Sequence, residues 1–119
     1  MKIERRDIVE DQFSRSVVYG ATIYFAGLVP TDVQQDIRGQ SAQVLSKLEN
    51  LLAEAGSSKS HLLSVIVYLK TFDDYDGFKL AYANWIDVGN LPARATVSAT
   101  MRDSRILLEI VAIAAVADL

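Results

Sequence analysis

Two ionisable residues near the end of the sequence have the types and surroundings that chemistry requires, Arg94 and Glu109. Glu109 is the only charged residue in the apolar stretch from Ile106 to Ala117. A carboxylate buried in such a stretch is costly unless it is paired or hydrogen-bonded. The neighbours on its side of a strand, Leu107, Val111 and Ile113, are all large and apolar, which favours a special role; a carboxylate facing water from a half-exposed strand is the alternative. Arg94 follows Leu91-Pro92-Ala93 and opens the polar side of an alternating segment. If Arg102 and Asp103 are the two residues of a tight turn, Thr96 lies opposite Glu109, with Arg94 further along the same face. A carboxylate, a hydroxyl and a guanidinium then converge. A slip of one residue in that turn separates Arg94 from Glu109, and a structural ion pair is the other account of the two.

Other chemistries have less to stand on. There is no cysteine and a single histidine, His61, which follows Gly56-Ser57-Ser58-Lys59-Ser60 and reads as a solvated loop residue. Thiolate nucleophiles and disulfides are excluded, and a zinc site has too few ligands. The G-x-S-x-G elbow, the G-x-G-x-x-G fingerprint and the P-loop pattern are all absent, so no nucleotide or metal cofactor is expected. Gly27, after Tyr24-Phe25-Ala26, could admit a ligand to backbone amides or could simply serve a turn. Phe78, Tyr82 and Trp85 share a helical stripe and read as core.

These residues need a scaffold, and the hydrophobic pattern supplies one. Ile3 to Val9 reads as an edge strand. Val17 to Val29 reads as two short strands joined at Gly20-Ala21, closed by Gly27 and Pro30. From Asp36 to Ala55 the apolar residues Ile37, Val44, Leu45, Leu48, Leu51 and Leu52 recur at three- and four-residue steps, predicting a helix of about five turns, with Gly56 as its C-terminal stop. His61 to Thr71 is nearly continuous in apolar residues and predicts a central strand. Asp73 or Asp74 can cap a second helix carrying Tyr75, Phe78, Tyr82, Trp85 and Ile86, ended by Gly89-Asn90 and Pro92. Ala93–Met101 and Arg105–Val116 then read as a closing hairpin. The expected fold class is α+β, a single domain over residues 1–119 in the order β-β-β-α-β-α-β-β, with two helices on one face of a mixed sheet.

The bulk properties agree with a compact domain. Half of the 119 residues are hydrophobic, and 12 basic against 15 acidic residues give a net charge of −3. No basic run exceeds Arg5-Arg6, so nucleic acid is not an expected partner. The first seven residues carry five charges, and no stretch reaches the ~20 apolar residues of a membrane helix. A cytoplasmic protein that engages no membrane is expected. Strands 61–71 and 105–116 are apolar on both faces, whereas the two helices cover only one side of the sheet. The open side predicts self-association.

Four segments together resemble the Rid family (reactive intermediate deaminases, also called the YjgF type). They are Tyr24-Phe25-Ala26-Gly27 with Pro30, Leu51-Leu52-Ala53-Glu54-Ala55-Gly56, Pro92-Ala93-Arg94, and Leu108-Glu109-Ile110-Val111-Ala112-Ile113-Ala114. The resemblance spans nearly the whole chain in order, and the Lys59-Ser60 region and Trp85 look closest to a YoaB-like branch. It implies a chorismate-mutase-like (YjgF-like) fold, a homotrimer, and ligand clefts between neighbouring subunits. It further implies a cofactor-free, metal-free enamine/imine deaminase that hydrolyses small 2-imino acids to 2-oxo acids and ammonia. By that resemblance Arg94 binds the substrate carboxylate and Glu109 positions the attacking water, while Phe13, Gly27 and Thr96 line the substrate. The chain departs from the family pattern in four places. Phe13 stands where a tyrosine is usual, Ala26-Gly27-Leu28 replaces S-G-Q, Lys79 replaces an asparagine, and Thr96 replaces a cysteine, which together imply a less polar pocket. A non-catalytic protein holding a small carboxylate in the same cleft is the alternative, and a ribonuclease reading sits poorly with the acidic balance.

Overall fold

The computed structural model describes residues 1–117 and contains one six-stranded sheet with two helices. In chain order the elements are β1 (Ile3–Val9), β2 (Phe13–Tyr19), β3 (Thr22–Phe25), α1 (Ile37–Glu54), β4 (Leu62–Leu69), α2 (Tyr75–Trp85), β5 (Ala93–Ser98) and β6 (Leu108–Ala115). This is the expected order, and among the described residues no helix is long and apolar enough to cross a membrane.

Local chemistry accounts for the element ends. Asp36 caps α1, its Oδ1 accepting from the Gly39 amide at 2.9 Å. Gly56 (φ +78°) stops the helix, and the Ser57 amide turns back to the Leu52 carbonyl at 2.8 Å. Gly20 (φ +64°) makes the tight β2–β3 turn. The predicted cap of α2 is only half right. Asp74 occupies the N-cap position without a side-chain bond, and Thr71 Oγ1 instead accepts from the Asp73 amide at 3.2 Å in the turn before the helix.

The sheet runs β1-β2-β3-β6-β4-β5, antiparallel throughout except for the parallel β4–β5 pair. The predicted β5–β6 hairpin is therefore wrong. β5 lies at the sheet edge and pairs with β4 through the α2 crossover, whereas β6 is inserted between β3 and β4. Burial explains the choice. Leu108, Ile110, Ala112 and Ala114 are buried on one face of β6, while Val111 and Ile113 carry the other, so this strand needs neighbours on both sides. β5 carries Arg94, Thr96 and Ser98 and tolerates an edge.

Residues 99–107 cross the end of β4 to join the two strands, and Arg102-Asp103-Ser104 does supply a turn within that crossing. Several bonds pin it. The Ile106 amide donates to the Asp103 carbonyl at 3.0 Å, and Lys70 Nζ donates to the Ser104 carbonyl at 2.7 Å. The fully buried Gln40 of α1 donates to the Arg105 carbonyl at 2.9 Å and accepts from the Leu107 amide at 2.9 Å. These two bonds tie α1 to the approach to β6, and two more from the same amide nitrogen reach the Val33 and Gln35 carbonyls.

Both helices pack on one face, against Ile23, Phe25, Val65, Val67, Leu69, Leu108 and Ile110, with Leu45, Leu48, Leu52 and Phe78 facing them. The other face has no cover within the chain. Tyr24 is 47% exposed and Val97 40% exposed there, beside Ile66, Tyr68, Val111 and Ile113.

Candidate functional site

The predicted site residues fall into two groups, and the sheet separates them. Arg94 pairs with Val65 of β4, whose side chain is in the core, so Arg94 points to the helix side. Glu109 pairs with Tyr68, one step out of phase with the buried Val67 and Leu69, so it points to the open side. The residue opposite Glu109 is Tyr68 rather than Thr96, which pairs with Val67. Within one chain Arg94 and Glu109 do not converge. The expectation that they share a face rested on the hairpin, and it fails with it.

The first group lies where β5 meets α2. The Arg94 guanidinium is stacked 4.8 Å from the Tyr82 ring centre and 5.7 Å from that of Phe78, and its Nη2 donates to the Tyr75 hydroxyl at 3.2 Å. Tyr75, Phe78 and Tyr82 stand three and four residues apart on α2, which places them on one stripe. The sequence marks that stripe as core, and Phe78 and Tyr82 are indeed buried. What the sequence missed is that their upper surface forms a seat for Arg94. Burial raises the Tyr82 phenol above its usual range, with Arg94 opposing more weakly, so it remains a neutral surface under the cation.

Arg94 has no carboxylate within ion-pair distance among the described residues. Thr96, two residues on and on the same side of β5, has a buried hydroxyl with no hydrogen-bond partner. The exposed Arg94 cation, without an anion of its own, can receive a carboxylate, whereas the Thr96 hydroxyl lies beneath the surface, out of a ligand's reach. Lys79 is exposed on the same helix.

The second group lies on the open side. Phe13, Gly27 and Glu109 line one cavity of about 280 Å³ with Val29, Met101, Arg102 and Ile106. Gly27 has a specific reason to be glycine. A Cβ there would collide with Oε2 of Glu109 and come within 2.9 Å of its Cδ, so the carboxylate lies directly over the Gly27 backbone. Phe13 at the start of β2 is 47% exposed, and the Arg15 guanidinium sits 5.9 Å from its ring centre.

The turn beside this cavity is held by charge. Side-chain and backbone hydrogen bonds from Arg105 pull the Asp103 carboxyl from its usual 3.8 down to about 2. Because the folded value is the lower one, this contribution is fully present above the unfolded pKa. It is lost only as pH falls through about 2. A carbon-detected NMR titration of Asp103 is expected to show its midpoint near 2; a midpoint near 4 would mean that the turn does not hold in solution.

Two other clusters are structural. A larger cavity of about 620 Å³ runs between α1 and α2, lined in part by Glu49, Lys59 and Trp85. Glu49, Lys59 and Trp85 satisfy one another there. Trp85 Nε1 donates to Glu49 at 2.9 Å, and Lys59 Nζ donates to the Trp85 carbonyl at 2.7 Å. His61 ends a short 3-10 turn, its Nδ1 2.8 Å from Ser58 Oγ, a contact between residues three apart that shapes the turn.

The fold agrees with known proteins. A model of the family described as Endoribonuclease L-PSP matches residues 5–116. The chain belongs to the YjgF/Rid family. It is 37% identical to a RutC family protein of Haemophilus ducreyi over 108 residues, 91% of this chain and 92% of that one. It is 32% identical over 116 residues to the RutC family protein YoaB of Escherichia coli K12, covering 98% and 100% of the two chains, which supports a YoaB-like placement. A crystal structure of a YjgF family member from Neisseria meningitidis superposes with a TM-score of 0.95 at 30% identity, over 100% of this chain and 98% of that one. An uncharacterised protein from Pseudomonas aeruginosa gives 0.91 at 32% identity, with 96% and 98% covered. The YjgF/Rid assignment thus accounts for the mixed sheet and its two helices.

Proposed function

We propose that the protein is a cytoplasmic enamine/imine deaminase acting on small 2-imino acids, in clefts formed between neighbouring chains of a homotrimer. The observation that carries this reading is Arg94, a cation held on an aromatic seat with no carboxylate of its own chain. A fixed guanidinium fork at an exposed edge suits an external carboxylate. Glu109 is held over Gly27 on the uncovered sheet face, beside Tyr68, Val111 and Phe13. An adjoining chain that covers that face can bring its own Arg94 to the Glu109 cavity, and one cleft then holds both groups.

The chemistry is modest in its demands. The imine carbon is already electrophilic, so a placed water is the main requirement. Glu109 takes a proton from that water as its oxygen bonds to the carbon and returns it to the nitrogen, giving a carbinolamine, and then carries the hydroxyl proton to the same nitrogen. The C–N bond then breaks, the carbonyl forms, and ammonia leaves, so one imine and one water give one 2-oxo acid and one ammonia. Arg94 holds the carboxylate throughout and draws electron density from the reacting carbon. No cofactor enters this scheme.

The test generates 2-iminopropanoate with an amino-acid oxidase and follows its disappearance. The wild-type protein is expected to speed its loss by at least about a hundredfold over buffer. If the imine decays at the buffer rate while small carboxylates still bind, the cleft is a binding site without turnover, and the deaminase reading is lost.

A further inference from the structure

We infer that Arg102 is a second anion anchor in the Glu109 pocket and that it selects 2-imino acids whose side chain carries another carboxylate. The inference rests on the deaminase reading for its chemistry and on a different residue for its evidence.

Arg102 lines the same cavity of about 280 Å³ as Glu109. Among the described residues it makes neither an ion pair nor a side-chain hydrogen bond. Its sequence neighbour Asp103 is engaged instead by Arg105, with Nη2 to Oδ2 at 2.8 Å. The backbone that carries Arg102 is nonetheless fixed, because Lys70 and Gln40 grip the carbonyls of Ser104 and Arg105. An uncommitted cation is therefore presented to the pocket from a held turn, which limits what its ordering costs on binding.

The remaining walls decide what lies between the charges. Phe13, Val29, Met101 and Ile106 are apolar and suit a short methylene chain, and the cavity is at the small end for ligand sites. With Arg94 supplied by the neighbouring chain, the cleft holds two guanidinium groups and one carboxylate. A 2-imino diacid presents the matching set, two carboxylates and one basic nitrogen. The 1-carboxylate goes to Arg94, the imine to Glu109 and its water, and the distal carboxylate to Arg102. A simple aliphatic imino acid leaves Arg102 with no partner. The substrate class is thus the four- and five-carbon 2-imino dicarboxylates, which an oxidation of acidic amino acids must supply.

The experiment compares kcat/KM for the imines of glutamate and alanine, each generated by an oxidase, in wild type and Arg102→Gln. Wild type is expected to favour the diacid by about tenfold to a hundredfold. Arg102→Gln is expected to lose that preference through a higher KM for the diacid, with the alanine imine changed less than about twofold. Equal kcat/KM values in wild type, or a diacid preference that survives Arg102→Gln, would overturn the assignment. Should neither imine be consumed, the deaminase reading falls, and calorimetry with glutarate and butyrate decides the anchor separately. Tighter glutarate binding that requires Arg102 sustains it, and equal binding of the two acids removes it.

Discussion

Arg94→Ala and Glu109→Gln, each inactive alone, should together recover about a quarter of wild-type activity when unfolded and refolded as an equal mixture. The expectation follows from the sheet. Arg94 projects to the helix side from β5, and Glu109 to the open side from β6. No rotamer change brings one through the sheet to the other, so a working site must draw them from different chains. In a mixed assembly each cleft then has one chance in two of an intact arginine and one in two of an intact glutamate. Either variant alone should fall by at least about a hundredfold. Alanine removes the carboxylate anchor, and glutamine removes the group that moves the water's proton. Both side chains lie outside the core, so thermal unfolding should change little. If the mixture stays as inactive as its components, the two residues serve one chain or none, and the shared cleft is lost.

Val111→Asp should leave a folded monomer of 13.1 kDa that no longer turns over substrate. Val111 sits on the uncovered face opposite Ile66, with Glu109 and Ile113 as its neighbours along β6. In an isolated chain the new carboxylate meets water and costs little. Within an assembled sheet-to-sheet interface it must be desolvated without a partner, at several kcal/mol in each copy. Size-exclusion chromatography with light scattering measures the mass, and circular dichroism checks that the helices persist. An assembly of unchanged mass with unchanged activity would show that this face is not where the chains meet.

Elements whose signal is local were legible before any tertiary contact was known. Helix α1 is written in the three- and four-residue steps from Ile37 to Leu52, in the Asp36 cap and in Gly56, and it spans Ile37–Glu54 as those signs require. The β2–β3 turn is set by Gly20, although β2 begins at Phe13, earlier than its β-branched run suggests. Strand partners are not local. Arg102-Asp103-Ser104 has the composition of a hairpin turn, and it does turn, but within a nine-residue crossing to a strand two places away. A hint lay in the contrast between β6, apolar on every residue but one, and β5, which alternates. A strand without a polar face belongs inside a sheet.

The same distinction divides the candidate site. The identities of Arg94, Thr96, Gly27, Phe13 and Glu109, and the family they point to, came from the sequence, because a guanidinium, a hydroxyl and a carboxylate in an apolar setting are properties of residue type and near neighbours. Which of them meet was decided by tertiary structure alone. Moving β5 from β6 to the far side of β4 turned Arg94 onto the rings of α2, left Glu109 on the open face with Arg102, and made a second chain necessary to reunite them. Side-chain direction in a sheet follows the pairing of strands distant in sequence, and that pairing is fixed only when the whole apolar surface finds its cover.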